Sequence, residues 1–189
     1  MPGKLLLASM IAVLPSATAL AQIATDGTTG PRVSLSGGRI EVGAGLGTRA
    51  GGNLFHSFDT FNVNHGQTVT FTGPDTVRNV VGRVTGGRSS TIDGTLRSTV
   101  GQADVYLINP AGVTFGPNAV VDVPASLHVG TAHEVRFADG ARFSALDKSG
   151  SSFTTAPPEA FGFLDRPSGA LRVDRSRLSV KPGRALPRI

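Results

Sequence analysis

From residue 77 onward the apolar positions come in short bursts: Val77/Val80/Val81/Val84, Ile92/Leu96, Val105 to Ile108, Val113/Phe115, Val120/Val121/Val123 and Leu127/Val129. Turn formers fill the gaps, namely Gly86-Gly87, Asp93-Gly94, Gly101, Asn109-Pro110, Gly116-Pro117-Asn118 and Pro124. Bursts of that length, roughly eight to twelve residues apart, predict many short strands. The sharpest example is Val105 to Gly116. Val105 to Ile108 has branched and aromatic side chains throughout, as a strand covered on both faces requires. Asn109-Pro110-Ala111-Gly112 then predicts a type I turn: Asn can bond its own backbone, Pro presets φ, and Gly suits the fourth position. Val113, Phe115 and Val120 resume an apolar face beyond it.

Upstream, Val33/Leu35 and Ile40/Val42 alternate with polar or small residues and flank Gly37-Gly38, a hairpin-type signal. Residues 23–30 are read as turn formers around Asp26-Gly27 and Thr28-Thr29-Gly30, and Gly43 to Gly52 as a loop. Phe55, Phe58 and Phe61 recur every third residue, but helix formers and caps are missing. The segment from Asn53 to Val63 is therefore expected to be irregular, with its phenylalanines plugging one end of a core. Val69 and Phe71 alternate with threonines and define a strand closed by Gly73-Pro74. Downstream, Asp139-Gly140 predicts a hairpin turn between Val135/Phe137 and Phe143. Lys148 to Glu159 should be exposed, and Phe161 to Leu164 should begin a last apolar segment.

A sandwich or barrel would accommodate this spacing. Two details favour a parallel β-helix. Ile92 to Leu96, Ala119 to Val123, Ala170 to Val173 and Arg177 to Val180 read as one short strand reused, and recurrence at roughly 20–30 residues is the trace of stacked coils. The strands are also shorter than sandwich strands usually are.

Composition narrows the reading further. The 189 residues suit one domain, and 25 glycines with 12 prolines lack any Gly-X-Y period. With 39% hydrophobic and 16% charged residues, the chain is too apolar to be disordered. There is no cysteine, which excludes disulfides, thiol catalysis and cysteine-based zinc sites. The formal charge of +5 is not spread evenly. Residues 22–165 carry 10 basic and 12 acidic side chains, whereas 166–189 carry 7 basic residues and Asp174. The basic end lacks interleaved aromatics on which bases could stack, so a solvated basic tail is expected and nucleic-acid binding is not.

Met1 to Ala21 has the form of a signal peptide: Lys4, an apolar run from Leu5 to Leu14, and Ala19-Leu20-Ala21 before Gln22. Cleavage is expected between Ala21 and Gln22. The apolar run is shorter than the ~20 residues of a membrane span, so an exported chain and not an integral membrane protein is expected.

Gly52-Asn53-Leu54-Phe55-His56-Ser57-Phe58, Phe61-Asn62-Val63, Ile92-Asp93-Gly94 and Ile108 to Gly116 together resemble the N-terminal domain of filamentous haemagglutinins. This is the haemagglutination-activity or two-partner-secretion (TPS) domain of large bacterial exoproteins. The resemblance runs in order from about Ile23 to Phe163. It implies an all-β fold: a right-handed, single-stranded parallel β-helix with N-terminal capping strands and an extra hairpin. It implies export through a partner outer-membrane transporter whose periplasmic domains recognise the module, delivering it to the medium or cell surface of a Gram-negative-type bacterium. The family's Asn-Pro-Asn-Gly motif maps to Asn109, Pro110 and Gly112, with Ala111 replacing the second Asn; the other motif positions are Asn53, Phe55, His56, Phe58, Phe61 and Asn62. An earlier Asn-Pro motif has no clear counterpart, Gly86-Gly87-Arg88-Ser89 being the nearest candidate. The expected organisation is a signal peptide (1–21), the TPS domain (22–165), and a basic, truncated start of a further coil (166–189), without an adhesive or toxic payload.

The candidate chemistry is sparse. His128 and His133 are spaced five apart, unlike a zinc pair. His56-Ser57 with Asp59 has the residue types of a nucleophilic site, but adjacency alone does not build a triad; they are expected to be solvent-facing beside packed phenylalanines. Asp93, Asp104 and Asp122 could line one face, and glycoside hydrolysis needs two carboxyls roughly 5–9 Å apart. Turn and strand-edge roles suit them better. The leading reading is a monomeric, non-enzymatic secretion module without cofactor or metal. The alternatives are a small carbohydrate-active β-helix enzyme and an adhesin fragment that binds host or surface glycans.

Overall fold

The computed structural model describes residues 22–176, which form strands, one 3₁₀ turn and tight connections. The expected signal peptide, the Ala21 side of its cleavage point and Arg177 to Val180 lie outside the described residues. The chain begins with β1 (Ile23–Thr25), β2 (Ser34–Leu35), β3 (Arg39–Val42), the 3₁₀ turn Ala44–Leu46 and β4 (Thr48–Ala50). A first coil follows from β5 (Asn53–Phe61) through Val63 to β6 (Thr68–Phe71). The second coil is β7 (Asn79–Val84), β8 (Ser90–Ile92) and β9 (Thr95–Ser98); the third is β10 (Asp104–Ile108), β11 (Val113–Phe115) and β12 (Val120–Asp122). A fourth starts with β13 (Leu127–Gly130), is interrupted by β14 (Glu134–Phe137), β15 (Arg142–Ser144) and β16 (Pro158–Gly162), and resumes at β17 (Leu171–Val173).

The coils stack into three parallel faces. The first is β5-β7-β10-β13, the second β8-β11-β17 with Val63 bridged to Ile92, and the third β3-β6-β9-β12. This is a parallel β-helix of about four turns, as the short, recurring strands imply. Register is kept by like-sized apolar residues in rows: Leu54 on Val80 on Val105 on Leu127, and Ile40 on Val69 on Leu96 on Val121. These side chains form one continuous core, and each fully buried one contributes about 1.5–3 kcal/mol. At the near end β1 and β4 run antiparallel to β5, and β2 pairs with β1. They close the edge that β5 would otherwise leave unpaired.

Several expectations change. Residues 53–61 are not irregular; they form the longest strand among the described residues. Alternation sends Phe55 outward and Phe58 inward. Opposite the Ala24–Thr25 step a bulge inserts Asp59, so Phe61 returns to the inner side. The threefold spacing is thus a strand with a bulge. Gly43 to Gly52 is not simply a loop, because it carries the 3₁₀ turn and β4. Residues 23–25 are a strand preceding the turn formers. Gly37-Gly38 does not close a hairpin: β2 belongs to the first face and β3 to the third, so the glycines turn a corner. Of the segments read as one strand reused, Leu96 and Val121 do stack, while Leu171–Val173 stacks on β11 in another face. Phe161 to Leu164 ends β16 and leaves Phe163 60% exposed.

Asp139-Gly140 does turn a hairpin, between β14 and β15, with Gly140 at φ +84°. Together with β16 this hairpin forms an antiparallel sheet against the outer side of the first face. Phe137 and Phe143 pack there with Phe55, Val81 and Ile108 as a second apolar cluster. Val105 to Ile108 is consequently covered on both sides, with Tyr106 half-buried.

Corners need close approach. A Cβ on Gly94 would lie 2.4 Å from the Asn64 carbonyl oxygen and 2.5 Å from that of Gln67, both backbone atoms of the coil below. Gly94→Ala should force these coils apart and lower stability by about 1–3 kcal/mol, read from chemical denaturation of the purified chain. An unchanged midpoint would contradict the close stacking.

Candidate recognition surface at the asparagine-proline turn

The turn from Asn109 to Gly112 carries the chain from β10 to β11, out of the first face and into the second. The Gly112 N–H donates to the Asn109 carbonyl at 3.0 Å, and the Ala111 N–H to Asn109 Oδ1 at 3.0 Å. Gly112 sits at φ +116°, the left-handed region that glycine tolerates. Asn109 is fully buried. Its side-chain amide donates to the Arg88 carbonyl and to Ser90 Oγ, each at 2.9 Å. The Ser90 N–H in turn donates to the Gly112 carbonyl. On the far side the Gly169 N–H bonds the Pro110 carbonyl at 2.7 Å. The asparagine therefore acts inward, fixing the segment that leads into β8.

That segment separates two depressions, one on the second face and one at its border with the cap and the end of β5. One, of about 230 Å³, is lined by Ser89, Ala111, Gly112, Thr114, Ala170 and Arg172. The other, of about 400 Å³, is lined by Ala24, Ser34, Asp59, Thr60, Asn62, Arg88 and Ser89. Ser89 belongs to both. Asn62 Oδ1 accepts the Thr91 N–H at 2.9 Å, standing in for a strand carbonyl at the edge of β8. Arg88 and Asp59 form an exposed ion pair at 3.0 Å. The smaller depression is mainly polar and the larger mainly apolar, and the backbone edge between them is held by two asparagine side chains.

The structure thus brings Asn109, Pro110, Gly112 and Asn62 around one segment and places the other motif residues elsewhere. Asn53 is buried under the hairpin, donating to the carbonyls of Thr154 and Ala156. Phe55 faces the hairpin, while Phe58 and Phe61 fill the solenoid interior. Gln22 caps the near end, its carbonyl accepting the Asn62 N–H at 2.8 Å. Ser90, Thr114 and Arg172 carry no signal in the linear sequence. Arg88 and Ser89 are flagged there only by the preceding glycine pair.

His56 and Ser57 are not solvent-facing; both are fully buried. His56 points into the core beside Phe58 and Phe71, and neither ring nitrogen has a hydrogen-bond partner of ordinary geometry. Burial drives its pKa down to about 4, opposed only in part by the Leu46 carbonyl. Ser57 donates to Asp26, 2.7 Å away. His133 is also buried, its Nδ1 accepting the Leu164 N–H, and His128 stacks on Tyr106. The three aspartates do not share a face. Asp93 sits at a corner, held below its ordinary pKa by the Asn118 N–H and side-chain amide. Asp104 on the first face accepts the Ser126 N–H, and Asp122 on the third pairs with Arg97 at 3.2 Å. Among the described residues no cluster of histidine and carboxylate could hold a metal ion.

The fold is a capped parallel solenoid carrying an external hairpin, with part of its sequence motifs gathered at one corner turn. The chain matches the TPS secretion domain over residues 21–173 and belongs to that family. It is accordingly a two-partner secretion module, a non-enzymatic class exported by way of a partner outer-membrane transporter in a Gram-negative system. No curated protein and no solved structure matches the chain. No helix among the described residues is long and apolar enough to cross a membrane.

The buried histidine makes stability depend on pH. In the unfolded chain it titrates near 6.5, in the fold at about 4. Between those values only the unfolded chain takes up the proton, so stability falls as pH drops through this window and this contribution is flat below it. The loss is about 3 kcal/mol. His56→Leu should lose that much less stability than wild type between about pH 7.5 and pH 4 in equilibrium denaturation. Identical pH profiles would contradict the assignment.

Proposed function

We propose that this chain is the recognition and folding-nucleation module of an adhesin-like exoprotein, acting without catalysis, and that the transporter's periplasmic domains read the surface around Arg88, Ser89 and the Asn109–Gly112 turn. The observation that carries this reading is the buried Asn109 amide bonded to Arg88 and Ser90. A motif that presented its own side chain would be exposed. This one works by holding a neighbouring edge in shape, which is how a β-strand addition partner would be received. Ala111 is half-buried at the turn and contributes its N–H to Asn109, a bond that any residue but proline can make there. The replacement of asparagine at this position is compatible with the same presentation.

In this reading residues 1–21 are removed on export, residues 22–165 form the recognised module, and residues 166–189 begin a further coil. Nucleation follows from the far end of the stack, where β12, β13 and β17 are the last strands of their faces among the described residues and can template the next coil. The product is a monomer released to the medium or held at the cell surface. Glycan binding would be a property of what the module delivers.

Release of the chain to the medium should require co-expression of a cognate transporter; equal release without one would overturn the reading. Asn109→Ala should cut release about tenfold, the effect of roughly 1.4 kcal/mol in recognition. Gly112→Val should do so too, because its Cβ would lie 3.2 Å from the Ala170 carbonyl in a left-handed conformation. Thr70→Ala, on the third face, should release normally.

A further inference from the structure

Arg83 lies in the run Val80-Val81-Gly82-Arg83-Val84 of β7, and alternation turns it outward with Val81. It is nevertheless fully buried, because the hairpin closes over it. Its Nε donates to Ser57 Oγ at 2.7 Å and Nη2 to Thr28 Oγ1 at 3.0 Å. Nη1 donates to the Ser144 carbonyl and to Ser151 Oγ, and the guanidinium carbon sits 4.1 Å from the centre of the Phe143 ring. No carboxylate touches it. Instead Asp26 is held close by the hydroxyls of Thr28, Ser57 and Thr85, the same residues that contact or flank the arginine. Burial lowers the guanidinium pKa to about 10, with the charges of Asp26 and Asp147 opposing, so it remains protonated at neutral pH.

The partners of this one side chain come from three separate parts of the module. Thr28 belongs to the N-terminal cap and Ser57 to the first coil. Ser144 and Ser151 lie 61 and 68 residues further along the chain, in the hairpin and the loop behind it. Two further ties repeat the pattern. Asn53 donates to the carbonyls of Thr154 and Ala156, and Phe55 packs against Phe137, Phe143 and Phe153 with ring centres 5.1–5.6 Å apart. A solenoid whose coils touch only their neighbours can fold coil by coil. Here the first two coils have an outer wall that arrives only after the third coil and β13. Until then Phe55, Val81 and Ile108 form an apolar strip open to water, and Arg83 stays hydrated, its acceptors on Ser144 and Ser151 not yet in place.

We propose that residues 134–162 act as a folding clamp: the cap and the first coils reach their stable state only when the hairpin docks on Arg83, so the module folds as one unit and not coil by coil. In a chain delivered from its N-terminus onward, stable structure is withheld until the last part of the module has emerged. That keeps the preceding segment extended and export-competent.

Native-state hydrogen exchange on the purified chain tests this without reference to any transporter. Amides of β5, β7 and β14 should exchange through one common opening with matching protection. Ser151→Ala, which removes one acceptor, and Phe143→Ala, which removes the ring under the guanidinium, should lower protection in β5 and β7 by the same factor as in β14, at least about tenfold. Complete loss of β structure in Phe143→Ala, with the milder variant lowering all three strands together, is the same result in its extreme form. Loss of protection confined to β14 and β15, with β5 and β7 at wild-type values in both variants, would overturn the proposal.

Discussion

In-register stacking of parallel coils is the constraint on which everything else in this molecule depends. A strand of three to five residues has too little surface to be stable alone. It persists only when its inward side chains meet the same positions in the coils above and below. The row Leu54, Val80, Val105 and Leu127 is the plainest case. That requirement explains the sequence between the strands as much as within them. Each coil must turn three corners tightly enough for the next to lie on it, which places Gly94 against the backbone of the coil below. Asn109 and Asn62 fix the corner region of the second face for the same reason, since their amides occupy positions where a longer coil would place peptide groups.

The near end cannot satisfy the constraint by stacking, having no coil beneath it, and the chain closes it with antiparallel strands. The outer side of the first face is closed in a different way. Phe55, Val81 and Ile108 make it as apolar as the interior, and the hairpin supplies the missing layer. Two polar residues mark the boundaries of these solutions. His56 is enclosed neutral in the core, opposite Gly82, whose absent side chain leaves room for Phe58. Arg83, one residue further on, is enclosed charged between solenoid and hairpin. The first limits the pH range of stability, and the second ties distant parts of the chain into one cooperative unit.

Much of this was legible in the sequence and the rest was hidden for physical reasons. Apolar bursts with turn formers between them reveal a solenoid because every coil repeats the same demand. The turn at Asn109 is readable because Asn, Pro and Gly each have a local conformational reason to be there. Its bonds to Arg88 and Ser90 are not, since they cross from one coil to the next. The strand from Asn53 to Phe61 is disguised by its bulge, which changes the parity of the phenylalanines and imitates a helical spacing. Gly43 to Gly52 looks structureless because its strand borrows its order from β5 and has little apolar pattern of its own. Arg83 looks like the solvent side of a strand, and only the hairpin, far along the chain, makes it internal.

The central claim is that a corner of the second face, shaped from within by Asn109, is what the export partner reads. Site-specific photo-cross-linking during export tests it most directly, with the reactive side chain placed at Ser89 between the two depressions or at Thr70 on the third face. Cross-links to the outer-membrane transporter's periplasmic domains are expected from Ser89, and none above background from Thr70. Equal cross-linking from both positions, or cross-linking from Thr70 alone, would contradict it.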